Sequence, residues 1–255
     1  MSFFKEVYSV AWADFRFLRH NIPNVMISSV MSPVLYMIAF GFCLNMTDIE
    51  VGDTTVPYLA FMIPGIIAMS SLTGSFSSTS TRMNVQRLYY RSFDEMMMCP
   101  LSNSSIVIGK AMLGMFRGLF SCMLMFLIGF ALANDSIHFT PLFVVTLLCC
   151  TFTFSLLGET CALMVNSHAG MATFSSLVIT PMTFLCGTFF NVANLPDWAQ
   201  GVLYILPLTE ASSCFRAAIL DISSFPYPFW ALGVIIAFGV AFFLIDMYLL
   251  KSRKV

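Results

Sequence analysis

Charge is what this sequence has least of. Of 255 residues only 10% are Asp, Glu, Lys or Arg, against roughly 25% in soluble domains. A globule of this length needs a charged skin, and this chain cannot supply one. Histidine is nearly missing: His20, His138 and His168 stand far apart, so no metal cluster is expected. Eight cysteines occur without a single C-x-x-C spacing and mostly inside apolar runs, which argues against both a disulfide framework and a metal site. No nucleotide-binding loop is present either. Ser104 to Lys110 ends in Gly-Lys, but Ala111 follows and the leading glycine is absent. H-E-x-x-H and G-x-S-x-G are also lacking. These absences exclude a chain that hydrolyses nucleotides by itself, and they show no nucleophile–base set for a membrane hydrolase. A net charge of −1 without a basic stripe excludes nucleic acid as a partner.

What is present is apolar: 58% hydrophobic residues and a mean hydropathy of +0.86. Such a composition specifies an all-α polytopic membrane protein. A bilayer core requires about 20 apolar residues per helix. Runs of that kind give six expected spans in one domain, at about 22–46, 55–81, 108–133, 139–165, 169–190 and 228–250. Lys and Arg then fix the orientation. Ten of them (Lys5, Arg16, Arg19, Arg82, Arg87, Arg91, Lys110, Lys251, Arg253 and Lys254) fall on the side shared by both termini, and only Arg216 falls on the other. Both termini are therefore expected in the cytoplasm of a multi-pass protein in the plasma membrane.

Three segments do not fit plain spans. Residues 1–20 place Phe4, Val7, Ala11, Phe15 and Leu18 at helical spacing, which reads as a helix along the cytoplasmic interface; an ordinary lead-in to the first span is the plainer alternative. The first twenty residues also mix acids and bases, unlike a cleavable signal. In the cytoplasmic loop, Ser92-Phe93-Asp94-Glu95 is a capping-box pattern, followed by Met96, Met97 and Met98 and closed by Cys99-Pro100. A short helix with a soft apolar face follows, either docking a partner or resting on the membrane. Residues 191–227 give two short amphipathic pieces around Pro207, too broken to span, suited to a re-entrant hairpin on the outer side.

Arg117 and Glu159 are the charges that interrupt the apolar runs of the third and fourth expected spans. Intramembrane charges pair or serve transport. An Arg117–Glu159 pair would lock two helices or, on the other reading, serve a self-sufficient channel or secondary transporter. The hydroxyl-rich second span repeats Ser70, Gly74 and Ser78, and the third repeats Gly114 and Gly118, spacings that permit close helix contact. Its face of Met69, Thr73, Phe76 and Ser77 could instead line a polar path.

Four stretches together are similar to the permease subunits of ABC-2 type transporters. They are Phe61-Met-Ile-Pro-Gly65, Phe93 to Ser102, Arg117-Gly-Leu119, and Thr180 to Phe190 with Leu195-Pro196 and Leu206-Pro207-Leu208. The resemblance spans nearly the whole chain in the right order. It implies an exporter permease that forms a homo- or heterodimer and pairs with separate cytoplasmic ATPase subunits. It implies that residues 1–20 form a connecting helix. Arg87, Tyr90, Arg91, Phe93, Asp94, Glu95, Met96, Met97 and Pro100 would form the ATPase-coupling element. An amphiphilic or lipid-linked substrate would move outward near spans two and five, past Met69, Thr73, Phe76, Ser77, Thr180 and Phe184. The chain itself would bind no cofactor and no metal, with ATP and Mg on the ATPase. No motif of that family accounts for Glu159.

Overall fold

The computed structural model describes residues 3–20, 31, 33–39, 48–51, 54–132, 140–190, 192, 196–220 and 228–253. These residues are helical apart from loops and one short hairpin. Helix α1 is Phe3–His20, and α2 covers 33–39. Strands β1 (Asp48–Val51) and β2 (Thr54–Pro57) pair antiparallel with Val51 opposite Thr54. This hairpin is the one strand pair among the described residues, in an otherwise helical chain. It occupies the acidic loop where Thr54, Thr55 and Val56 supply β-branched residues next to Pro57.

Helix α3 (Tyr58–Leu88), α5 (Asn103–Leu132), α6 (Pro141–Met164) and α11 (Pro228–Arg253) carry the bundle. Among the described residues, these four helices are long and apolar enough to cross a membrane. Most of the first expected span lies outside the described residues. The fifth is an unbroken but irregular helix: α7 (His168–Phe174), a π-helical turn Ser175–Ile179, and α8 (Thr180–Leu185). Pro181 explains the wide turn, since its ring displaces the carbonyl that it cannot bond.

Helix α3 is the hub. Of its apolar stretch 89% is buried, against 17% for α11. Thirty-one residues reach about 46 Å, well beyond a bilayer core of about 30 Å. The surplus falls at the basic end of the helix, which carries Arg82, Gln86 and Arg87. Small residues let α5 and α6 close on this hub. A side chain on Gly114 would strike Thr79 and Ser155, and one on Gly118 would strike Ser75. Gly158 sits where a Cβ would lie 2.7 Å from the Phe76 carbonyl. Thr79 and Ser155 hydroxyls bond at 2.7 Å, and Ser155 donates to Ala111 O at 2.7 Å. The small-residue repeats of α3 and α5 are therefore packing surfaces.

At the opposite end, α9 (Asp197–Tyr204) and α10 (Pro207–Ile219) meet at Pro207. Helix α10 is seated among the N-terminal parts of α3, α6 and α11. Its buried Arg216 donates to the Gly187 and Thr188 carbonyls and stacks 3.9 Å over Phe61. Gly187 holds φ +74, a turn that its lack of Cβ permits.

Helix α1 lies against α5, with Val10 buried and Gly109 beneath it. Its expected apolar stripe is split. Val7, Ala11 and Leu18 are half-buried, whereas Phe4 and Phe15 are exposed beside Tyr8 and Trp12. Tyr8 and Trp12 stack at 5.8 Å, forming an outer aromatic ridge. The inner face is completed instead by two acids, Glu6 and Asp14.

Candidate functional site

The segment Arg87–Pro100, expected to serve as a coupling element, contains the short helix α4 (Ser92–Met98). Arg91 precedes it in the left-handed region, φ 52, and its carbonyl accepts from the Asp94 and Glu95 amides. The capping box does not form, because Ser92 is the first helical residue and makes no side-chain cap. Phe93 is 1% exposed and belongs to a core with Met83, Ile106, Leu156 and Leu250. Met96 and Met97 also pack against that core. Tyr89, Tyr90, Arg91, Asp94, Glu95, Met98 and Pro100 face outward. The expected surface therefore divides. Phe93, Met96 and Met97 anchor the helix, and the acidic and tyrosine side is left open. Arg87 turns inward too, bonding the Ala162 and Leu163 carbonyls and the Asn166 amide oxygen. There it satisfies the last carbonyls of α6, where a cation is favoured. Tyr89 lies tilted against the His168 ring, centroids 5.1 Å apart, beside this contact.

Beneath α4 the three helices α1, α3 and α5 share a buried polar network. Asp14, 0% exposed, accepts from Lys110 Nζ at 2.7 Å, Gln86 Nε2 at 2.7 Å and Arg82 Nε at 3.3 Å. Lys110 also donates to Gln86 Oε1 at 2.6 Å. One carboxylate thus faces two cations and ties three helices together. Nearby, Glu6 accepts from the Ser102 amide at 3.2 Å and from the Ser102 and Ser105 hydroxyls at 3.0 and 2.9 Å. These bonds at the N-terminus of α5 hold its carboxyl below the usual range. The sequence did not single out Asp14 or Glu6. Each looked like one of several charges on a surface helix. The available signal was position: both share a face with Val10 at helical spacing.

The expected Arg117–Glu159 pair is not formed. Glu159 is fully buried, and among the described residues neither of its oxygens has a hydrogen-bond partner. Its charged neighbours are Asp246, Lys110 and Asp14. The helix register explains the error. Ser155 meets Ala111 and Thr151 meets Gly118, so Arg117 lies level with Thr151, two turns from Glu159. Equal distance from a loop is not equal depth when helices extend unequally beyond the membrane.

The candidate path residues also divide. Met69 and Phe76 are buried, and Phe76 stacks on Phe174 at 6.1 Å. Thr73 is half-buried, while Ser77, Thr180 and Phe184 are exposed.

Known proteins share this sequence pattern. The sequence model of the family described as ABC-2 type transporter matches residues 5–220. The Escherichia coli K12 inner membrane transport permease YadH is 27% identical over 240 residues, covering 92% of both chains. Nodulation protein J of Neorhizobium galegae is 26% identical over 235 residues, covering 91% of this chain and 87% of its own. That of Rhizobium leguminosarum bv. viciae is 26% identical over 235 residues, covering 89% and 86%. A match over most of the chain, joined to a bundle of long apolar helices, establishes that this multi-pass plasma-membrane chain belongs to the ABC-2 type transporter family of membrane transport permeases.

Proposed function

We propose that this chain is the transmembrane subunit of an ATP-driven exporter powered by a separate cytoplasmic ATPase. The observation that carries the reading is α4. It is a short helix pinned to the bundle by Phe93, with Tyr89, Tyr90, Asp94, Glu95 and Met98 turned outward. A helix anchored by a buried aromatic moves with the helices behind it, so a push on its outer face reaches α3 and α5 as a unit. ATP and Mg belong to the ATPase, and this chain needs no cofactor of its own. Two permease copies, identical or related, complete the transporter. The substrate is amphiphilic or lipid-linked and moves outward. Ser77, Thr180 and Phe184, open on an otherwise apolar surface, support a route at the protein–lipid boundary. The rival reading, a self-sufficient secondary transporter, rested on an Arg117–Glu159 pair and loses that support.

The experiment is affinity purification of the tagged full chain in mild detergent, with mass spectrometry of its companions. A stoichiometric ATPase is expected, and charge reversal at Glu95 should reduce its recovery severalfold while the permease stays folded. Recovery of an intact permease dimer without ATPase, under conditions where a related exporter keeps its own, would refute the proposal.

A further inference from the structure

We infer that Glu159 of α6 and Asp246 of α11 form a buried proton-binding site, holding one proton between two carboxyl groups at the basic end of the bundle. Both residues are 0% exposed. All four carboxyl oxygens are buried, and among the described residues none has a partner at hydrogen-bond distance and angle. The two acids are charged neighbours, and Thr160 of α6 lies beside Asp246. The other charged groups facing Glu159 are Lys110 of α5 and Asp14 of α1, with Arg82 of α3 next to Lys110.

The charge count requires a proton. Three carboxyl groups (Asp14, Glu159 and Asp246) meet two cations, Lys110 and Arg82. Both cations bind Asp14, at 2.7 and 3.3 Å. Lys110 spends a further hydrogen on Gln86. Ionising both remaining carboxyls would bury two neighbouring anions without a dedicated counter-ion, which a low-dielectric site does not tolerate. One proton removes a charge and supplies a donor, so that one carboxyl bonds the other. A divalent cation does not fit. It asks for about six oxygen ligands, and the surroundings offer two carboxyls and the Thr160 hydroxyl. The proton also leaves Lys110 to Asp14, which keeps α1 attached to the bundle.

Infrared spectroscopy of the full chain in lipid nanodiscs tests this, because a protonated carboxyl and a carboxylate absorb at separate positions. At neutral pH the wild type should show a buried acid band. Glu159→Gln/Asp246→Asn should remove it, and Glu210→Gln should leave that part of the band in place. Glu159→Gln alone preserves the single negative charge of the one-proton pair and can donate its amide hydrogen to Asp246, so it is the variant that should stay folded. Thermal stability of the wild type should fall as pH rises above the ordinary carboxylate range, because the unfolded chain releases this proton before the folded one does, and the double variant should lose that slope. No acid band in the wild type would overturn the inference whatever the variants do. A band unchanged in the double variant belongs to another acid and overturns it equally. If the double variant fails to fold, Glu159→Gln alone decides: the one remaining carboxylate is balanced by the cations, so the band should vanish, and a band of unchanged strength sinks the idea.

Discussion

Asp14 and Phe93 show how much single residues decide at the basic end. Asp14 receives three donors from two helices while itself fully buried. Asp14→Ala leaves the Lys110 ammonium buried with Gln86 alone, and removal of one partner of a buried pair costs about 3–5 kcal/mol. The expected outcome is a drop of several degrees in melting temperature, with a smaller drop for Arg82→Ala. That residue retains 18% side-chain exposure and can be hydrated when its partner is gone. Equal losses from the two variants would show that the network is not centred on Asp14. Phe93 acts through packing instead. Phe93→Ala removes the anchor of α4 from a core it shares with Met83 and Leu250, and truncation of a buried Phe costs about 3–5 kcal/mol in well-packed sites. Proteolysis within residues 89–102 should accelerate in this variant before the bundle itself melts.

At the scale of elements, long apolar runs made α3, α5, α6 and α11 legible, because nothing else explains 18 or more residues with so few charges. Their ends were not legible. Helix α3 continues to Leu88 and α5 begins at Asn103, since polar residues beyond the bilayer do not stop a helix whose inner face still packs. The small-residue contacts could be read from spacing, but which helix each faced could not. Pairing depends on the register between helices, and no single helix encodes that; Glu159 therefore found Lys110 and Asp246 where Arg117 had been expected. The close contacts make a sharp prediction. Gly118→Ala would push a methyl into Ser75 of α3, and overpacking of this kind costs about 1–3 kcal/mol. Adding Ser75→Ala should restore part of the lost stability; an additive double variant would mean that the two helices do not meet there. The clasp between α1 and α5 has its own pH signature. Glu6 is held below its ordinary value of 4.5 by Ser102 and Ser105. A depressed carboxyl stabilises fully above that ordinary value, and the contribution disappears as pH falls through the lowered one. Hydrogen exchange in α1 should rise on acidification in the wild type, and Glu6→Gln should show the faster exchange already at neutral pH.

For the whole molecule, the asymmetry around α3 matters most. This hub is closed by α5, α6 and α10, yet Thr73 and Ser77, one turn apart, stay open on one side. The Thr73 hydroxyl returns its proton to the Met69 carbonyl at 3.0 Å and needs no outside partner. Ser77 is exposed, on the helix that is otherwise the best covered. Small hydroxyl residues facing out of a spanning helix mark places where another helix can approach closely. A second permease copy reaching the hub at Ser77 would join the two hubs with little between them, so that force entering through one α4 would move both halves. Ser77→Cys, with the exposed Cys99 replaced by Ser, should therefore cross-link copy to copy in membranes. Trp230→Cys, on the exposed side of α11, should not. The reverse pattern would place the second copy on α11, and the open side of α3 would then face only lipid.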